Sequence, residues 1–201
     1  MKITSIKQQA KNHQRYSIFV EESYAFSLGE AALLDSKVYK GQEINEEELK
    51  ELKTKSTDDK LYIQTLNYVS RYNKTKWEVS QYLKRKTESP ALIELILNKL
   101  SILGLIDDFK FAKTYTSNRL RLRPTSRRKI QYELIKKHVE KVAIDQAMAN
   151  IEVPESSSLN SLIEKKRLQT KYQDSTKLMQ YLARQGFNYE DIKQAIKDIS
   201  Q

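Results

Sequence analysis

TKWEVSQYLKRKTESPALIELILNKL (residues 75–100), SRRKIQYELIKKHVEKVAIDQAMANI (126–151) and DSTKLMQYLARQGFNYEDIKQAIKDI (174–199) align without a gap once Leu83, Leu134 and Leu182 share one column. Four positions earlier stand Val79, Ile130 and Leu178; ten later, Ile93, Ile144 and Ile192; fourteen later, Leu97, Met148 and Ile196; seventeen later, Leu100, Ile151 and Ile199. All are apolar, at offsets that build helical stripes of 3.6-residue period. The helix starts fall into register as well. Thr75, Ser126 and Asp174 are good N-caps, and Thr75-x-x-Glu78 is a capping box. Ser89, Glu140 and Asn188 open the following helix, with Pro90 at the favoured first helical position. Between the two helices stand Thr87, His138 and Gly186, where the earlier one must stop; glycine suits a left-handed residue best and histidine tolerates it better than most.

A further helix precedes each pair, over 60–72, 108–122 and 156–171, so each repeat is a three-helix unit. The expected division is an N-terminal extension over 1–58, repeat one over 60–107, repeat two over 108–153 and repeat three over 154–201. Units stacked in tandem contact mainly their neighbours, which predicts an elongated, curved array.

The N-terminal extension has period 2 instead. Tyr16, Ile18 and Val20 alternate on one face of a strand, Tyr24, Phe26 and Leu28 on one face of the next, and Glu22-Ser23 joins them as a hairpin. Ile3 to Gln9 is a weaker third strand. Ser27-x-x-Glu30 reads as a capping box for a short helix over 31–34, Asn45-x-x-Glu48 as the start of another short helix, and Thr54 to Asp59 as a charged joint. The fold class is therefore mainly α, with tandem three-helix repeats behind a small β-rich extension.

Composition agrees and removes several functions. The 201 residues include four Gly and three Pro, few turn formers for a sheet protein. Cysteine is absent, which excludes a thiol nucleophile, a thiolate metal site and a disulfide scaffold, and fits a reducing cytoplasm. With no run of 18 apolar residues and no apolar segment near residue 1, the expectation is a soluble chain that neither enters a membrane nor is exported. Gly29, Gly41, Gly104 and Gly186 are isolated, so no phosphate-cradling glycine loop can be assembled and no nucleotide cofactor is expected by that route. His13 and His138 show no metal-ligand spacing. Asp107-Asp108 fits helix capping; a nuclease with a metal on this pair would need further oxygen ligands, which nothing signals.

Charge is unevenly placed. Residues 1–60 carry 10 Lys+Arg against 11 Asp+Glu, and residues 61–201 carry 26 against 15, so the net +10 belongs to the repeats. Within Arg119-Leu120-Arg121-Leu122-Arg123-Pro124-Thr125-Ser126-Arg127-Arg128-Lys129, three cations fall in the first turn of a helix, where the macrodipole disfavours them. A polyanionic ligand, nucleic acid or an acidic protein surface, accounts for them, against the plain alternative of a solvated face. Lys84-Arg85-Lys86 and Lys136-Lys137 sit at helix C-termini, where the dipole explains them without a ligand.

Leu105-Ile106-Asp107-Asp108-Phe109-Lys110-Phe111-Ala112 followed by Tyr115 resembles the LIDDxxFAxxY signature of the RecX regulatory proteins. Tyr68-Val69-Ser70-Arg71-Tyr72 with Glu78-Val79-x-x-Tyr82-Leu83, and Tyr181 to Phe187, are similar to that family as well, and the likeness covers nearly the whole chain. The resemblance implies a bacterial, cytoplasmic, monomeric regulator of homologous recombination and the SOS response, without catalysis or cofactor. It implies binding to the RecA recombinase filament and to single- and double-stranded DNA, directly or through RecA, with inhibition of RecA ATP hydrolysis, strand exchange and coprotease activity. Leu105, Asp107, Asp108, Phe111, Ala112 and Tyr115 are then assigned to the repeat junction. Arg119, Arg121, Arg123, Arg127, Arg128 and Lys129, with Lys84, Arg85, Lys86, Lys136 and Lys137, are assigned to RecA or DNA. Two departures stand: Arg123-Pro124-Thr125 replaces a glycine-rich turn, and some members of this subtype continue past a third repeat, so Gln201 is compatible with an incomplete end. The alternative from the residues alone is a helix-turn-helix-like protein that binds DNA or RNA without RecA.

Overall fold

The computed structural model describes residues 1–199 and divides into two units, residues 1–72 with 82–100 and residues 73–81 with 101–201. It is mainly helical, with one small sheet.

In the first unit, strands β1 (Ile3–Gln8), β2 (Arg15–Val20) and β3 (Ser23–Gly29) form an antiparallel sheet in chain order. Ile18 pairs with Phe26 and Tyr16 with Leu28 as the alternation requires, but Phe19 pairs with Tyr24. The extra residue, Ala25, is a bulge that shifts the register, so Tyr24 does not share the buried face of Phe26 and Leu28; it is 60% exposed and meets Phe19 edge-on. The hairpin turn is Glu21-Glu22, one residue earlier than expected, with both at positive φ as a type I′ turn needs. Helix α1 (Glu30–Asp35) follows Gly29 without a side-chain cap. Ser27 lies inside β3, where its hydroxyl accepts from Arg15, so the expected capping box there does not form.

The capping box at Asn45 does form: Glu48 N–H donates to Asn45 Oδ1 and Asn45 N–H to Glu48 Oε2, both at 2.8 Å. It opens not a short helix but α2 (Glu46–Arg71), 26 residues long, which runs through the supposed joint at 54–59. The charge there misled because one carboxylate faces inward. Asp59 Oδ2 accepts from Arg15 Nη1 at 3.0 Å and from Gly29 N–H at 2.8 Å, and the ion-pair side chains are only 9% and 12% exposed. Ser56 Oγ adds a bond to Ser27 O. Gly29 suits this approach, since a Cβ there would sit 3.1 Å from Asp59 Oδ1, closer than an ordinary contact. In the same unit, Ile3, Ile18, Val20, Phe26, Leu28, Val38, Ile44 and Leu52 form an apolar core.

Helix α3 (Lys76–Lys84) starts in the second unit and α4 (Pro90–Ile102) lies mainly in the first. The second unit continues through α5 (Asp108–Leu122), α6 (Arg127–Lys136), α7 (Lys141–Ala149), α8 (Glu155–Arg167), α9 (Ser175–Arg184) and α10 (Tyr189–Asp198). Of the fifteen column residues twelve are buried, Met148 and Ile151 are half-buried and Ile199 is 37% exposed. The Thr75, Ser126, Asp174, Ser89 and Asn188 caps all form. Glu140 stands before α7 without a side-chain cap bond. His138 and Gly186 take positive φ, 54° and 88°.

Two junctions between consecutive repeats in this unit share one hydrogen-bond pattern. Asp108, at the first position of α5, accepts the N–H of Lys76, the first residue of α3, at 2.8 Å, while Thr75 Oγ1 donates to Lys137 O at 3.3 Å. Glu155, at the first position of α8, accepts the N–H of Arg127, the first residue of α6, at 2.9 Å, while Ser126 Oγ donates to Gln185 O at 2.8 Å. Beside these bonds, Trp77 stacks on His138 at 3.9 Å in one junction; in the other, Gly186 presses so close to Ser126 that a Cβ would collide with its hydroxyl.

Of the motif residues, Asp107 caps α5 through Lys110 N–H, Ala112 is fully buried, and Phe111 and Tyr115 are half-buried. Ile106 rather than Leu105 reaches the interior, Leu105 being 42% exposed. Asp108 has a second bond, from Glu140 N–H at 3.2 Å, so both its oxygens hold backbone amides. The two aspartates should therefore respond differently to the same change. Asp107→Asn keeps the cap acceptor and should cost under about 0.5 kcal/mol; Asp108→Asn turns one acceptor into a donor facing an amide and should cost roughly 1–3 kcal/mol. Urea unfolding of both variants checks this, and equal losses would contradict it.

Candidate polyanion-binding site

The arginine-rich segment spans the last turn of α5, the bend at 123–126 and the first turn of α6. Its cations divide into two groups. Arg119 is paired inside the unit: Nε and Nη2 donate to the two carboxylate oxygens of Glu133 on α6, at 2.9 and 3.0 Å, and Nη1 donates to Arg123 O. Tyr115 OH donates to the same carboxylate at 2.9 Å, and the Lys137 ammonium lies 5.5 Å from the Tyr115 ring centre. This bidentate clasp joins α5 to α6. Burial by itself would push the Glu133 carboxyl up, but its bonds from Arg119 and Tyr115 outweigh that and hold it below its ordinary value. The bond to Glu133 pushes the Arg119 guanidinium up, and burial followed by the bond to Glu133 does the same to the Tyr115 phenol.

Arg127 and Lys129 are also engaged. Arg127 is half-buried and its guanidinium donates to Val153 O at 3.1 Å, while Lys129 Nζ donates to the side-chain oxygen of Gln185 at 2.7 Å. In contrast, Arg121, Arg123 and Arg128 are exposed, and among the described residues none has a carboxylate partner. Lys136 is exposed over the Tyr132 ring, 4.7 Å from its centre, and Lys137 is half-buried. In the other unit, Lys84, Arg85 and Lys86 are all exposed at the end of α3, with Lys86 5.9 Å from the Tyr82 ring centre. The cations of this segment that are exposed and have no carboxylate partner among the described residues are therefore Arg121, Arg123 and Arg128.

Sequence reading missed Glu133, the acid that withdraws Arg119 from this surface, and Glu155, which accepts the backbone N–H of Arg127 while the guanidinium donates to backbone carbonyls. Glu133 lies 14 residues from Arg119 and Glu155 lies 28 from Arg127, beyond any spacing rule within one helix. It also passed over Lys113, exposed on α5. Among the described residues no helix is long and apolar enough to cross a membrane, and no group of three or more His, Asp or Glu is placed to hold a metal ion.

Three family descriptions match in order along the chain: the regulatory protein RecX N-terminal domain over residues 1–45, the RecX second three-helix domain over 107–148 and the RecX third three-helix domain over 156–196. The regulatory protein RecX of Oceanobacillus iheyensis is 30% identical over 208 residues, covering 98% of this chain and 76% of the relative. The chain belongs to the RecX family of regulatory proteins. RecX of Listeria welshimeri is 34% identical over 148 residues, covering 74% of this chain, and the match spans about half of that longer relative, 55%. A crystal structure of regulatory protein RecX superposes with a TM-score of 0.78 at 27% identity, covering 98% of both chains. That of RecX from Lactobacillus salivarius gives 0.62 at 25% identity, covering 72% of this chain and 97% of the other.

The clasp makes a pH-dependent prediction. Because the folded Glu133 carboxyl lies below its unfolded value, its contribution is complete above the ordinary glutamate pKa of about 4.3 and is lost as pH falls through the lower folded value. Glu133→Gln should lower stability by roughly 1.5–3 kcal/mol at neutral pH. The deficit should close as the solution is taken below about pH 4. Thermal unfolding across pH checks it; a deficit that persists unchanged in acid would contradict the ionic clasp.

Proposed function

We propose that this chain regulates homologous recombination and the SOS response by binding the RecA–DNA filament, and that it inhibits RecA ATP hydrolysis, strand exchange and coprotease activity without catalysis of its own, as a cytoplasmic monomer. Family membership supports the regulatory role. The observation that carries the binding surface is the exposure of Arg121, Arg123 and Arg128, cations that no internal carboxylate neutralises among the described residues. Arg128 stands in the first turn of α6, where helix electrostatics oppose it, so an external anion is the economical explanation. Arg119, Arg127 and Lys129 position this surface through their bonds within the unit, and Lys136 and Lys137 extend it. Lys84, Arg85 and Lys86 supply a second basic group after α3.

We also propose that the functional modules are the extension 1–58 and the repeats 60–107, 108–153 and 154–201. The separate apolar clusters around Ile18, Ile130 and Leu178 support this division. Shallow contacts spread over linked modules add through effective concentration, which suits a polymeric target.

The second reading, nucleic-acid binding without RecA, draws on the same exposed arginines and is separated by one experiment. Arg123→Glu with Arg128→Glu should fold normally and bind RecA filaments on single-stranded DNA more weakly. Each lost phosphate contact should lower the slope of log affinity against log salt by roughly 0.7–0.9. A parallel fall in affinity for bare DNA assigns the surface to phosphate, and unchanged affinity for bare DNA assigns it to an acidic protein face. Addition of the native chain should suppress DNA-stimulated ATP hydrolysis by RecA below the concentration that coats the DNA; suppression only at coating concentrations would favour the second reading. Unchanged filament affinity and salt slope in the double variant would overturn the assignment of the surface.

A further inference from the structure

A cavity of about 600 Å³ lies within the second unit, walled by α5, the end of α7 with the segment after it, and the start of α8. Its polar lining combines two cations from α5, Lys113 and Arg121, with hydroxyl side chains from two helices, Thr116 on α5 and Ser157, Ser158 and Ser161 on α8. Glu152 is the one acid in the wall, so positive charge predominates.

The decisive feature is Thr116. It is 3% exposed, yet its Oγ1 has no hydrogen-bond partner among the described residues. A buried threonine in a helix ordinarily returns its hydroxyl to the carbonyl four residues back, as Thr65 does to Leu61 O at 2.8 Å. Thr116 does not, and its side chain lines the cavity. A buried hydroxyl without a partner is unfavourable, so its presence at a cationic, hydroxyl-rich wall points to a ligand that accepts from it.

We propose that this cavity binds a phosphoryl group carried on a body of nucleotide size. Hydroxyl donors on two walls and cations on one can meet several oxygens of a tetrahedral anion at once, whereas a planar carboxylate presents two. The volume lies within the range of small-molecule sites and far exceeds a bare phosphate, and Leu120, Pro124 and Ile151 offer an apolar wall to the organic part. The phosphoryl group has two possible sources, a free mononucleotide or a nucleotide of single-stranded DNA. The site goes beyond the filament-binding reading, because only Arg121 among the cations proposed there lines it.

The test is calorimetric titration of the full chain with deoxyadenosine 5′-monophosphate, inorganic phosphate and deoxyadenosine. The monophosphate should bind saturably, one per chain; phosphate should bind more weakly, and the nucleoside should not bind. Thr116→Val, nearly isosteric and without the orphan hydroxyl, should keep or raise the melting temperature while weakening monophosphate binding at least tenfold. Lys113→Met should weaken it similarly. Displacement of the monophosphate by a short single-stranded DNA assigns the site to nucleic acid, and failure to displace it assigns the site to free nucleotide. Absence of saturable binding by both monophosphate and phosphate, equal binding of the nucleoside, or a Thr116→Val protein whose melting temperature changes while its affinity does not would each overturn the proposal.

Discussion

Asp108 holds two backbone amides with one carboxylate, the N–H of Lys76 at the start of α3 and that of Glu140 just before α7, and thereby fixes the starts of three helices. Helix N-termini leave amides without intrahelical partners, and an anion placed there satisfies them while opposing the helix dipole favourably. Glu155 repeats the contact one module later on Arg127 N–H, with the N-cap hydroxyls of Thr75 and Ser126 donating to Lys137 O and Gln185 O in the same relative places. The repeat is thus a repeated polar contact as well as a repeated apolar column. It also places the bend between α5 and α6, because α6 begins where Glu155 takes its first amide.

Once that bend is set, the distribution of charge follows from which cations find acceptors inside the unit. Glu133 takes Arg119, the carbonyl of Val153 takes Arg127, and Gln185 takes Lys129. Those bonds hold the backbone that carries Arg121, Arg123 and Arg128 outward. A net charge of +10 is a property of the whole chain; the part available to a partner is decided by these internal pairings.

The apolar columns and caps were legible from sequence because both depend on spacing within one helix. Leu83, Leu134 and Leu182 are fully buried, and the Thr75 capping box closes in both directions. The second-repeat helix expected over 108–122 is α5, and the left-handed stops at His138 and Gly186 follow from residue chemistry. What escaped reading are contacts between residues far apart in the chain. Asp59 looked like part of a charged joint because Arg15, its partner, is 44 residues away; the same distance problem concealed Glu133 from Arg119. Tyr24 was misplaced by a bulge, which breaks the period-2 rule on which its placement rested. The cavity had no sequence signature, since its hydroxyls come from α5 and α8 and become a site only when those helices meet.

Amide hydrogen exchange read by mass spectrometry tests most directly whether the bend between α5 and α6 is the contact surface. With RecA filaments on single-stranded DNA present, the amides of residues 121–129 should slow markedly relative to the chain alone, while those of the sheet at 3–29 should not. Unchanged exchange over 121–129 under conditions where the chain co-sediments with the filament would contradict it.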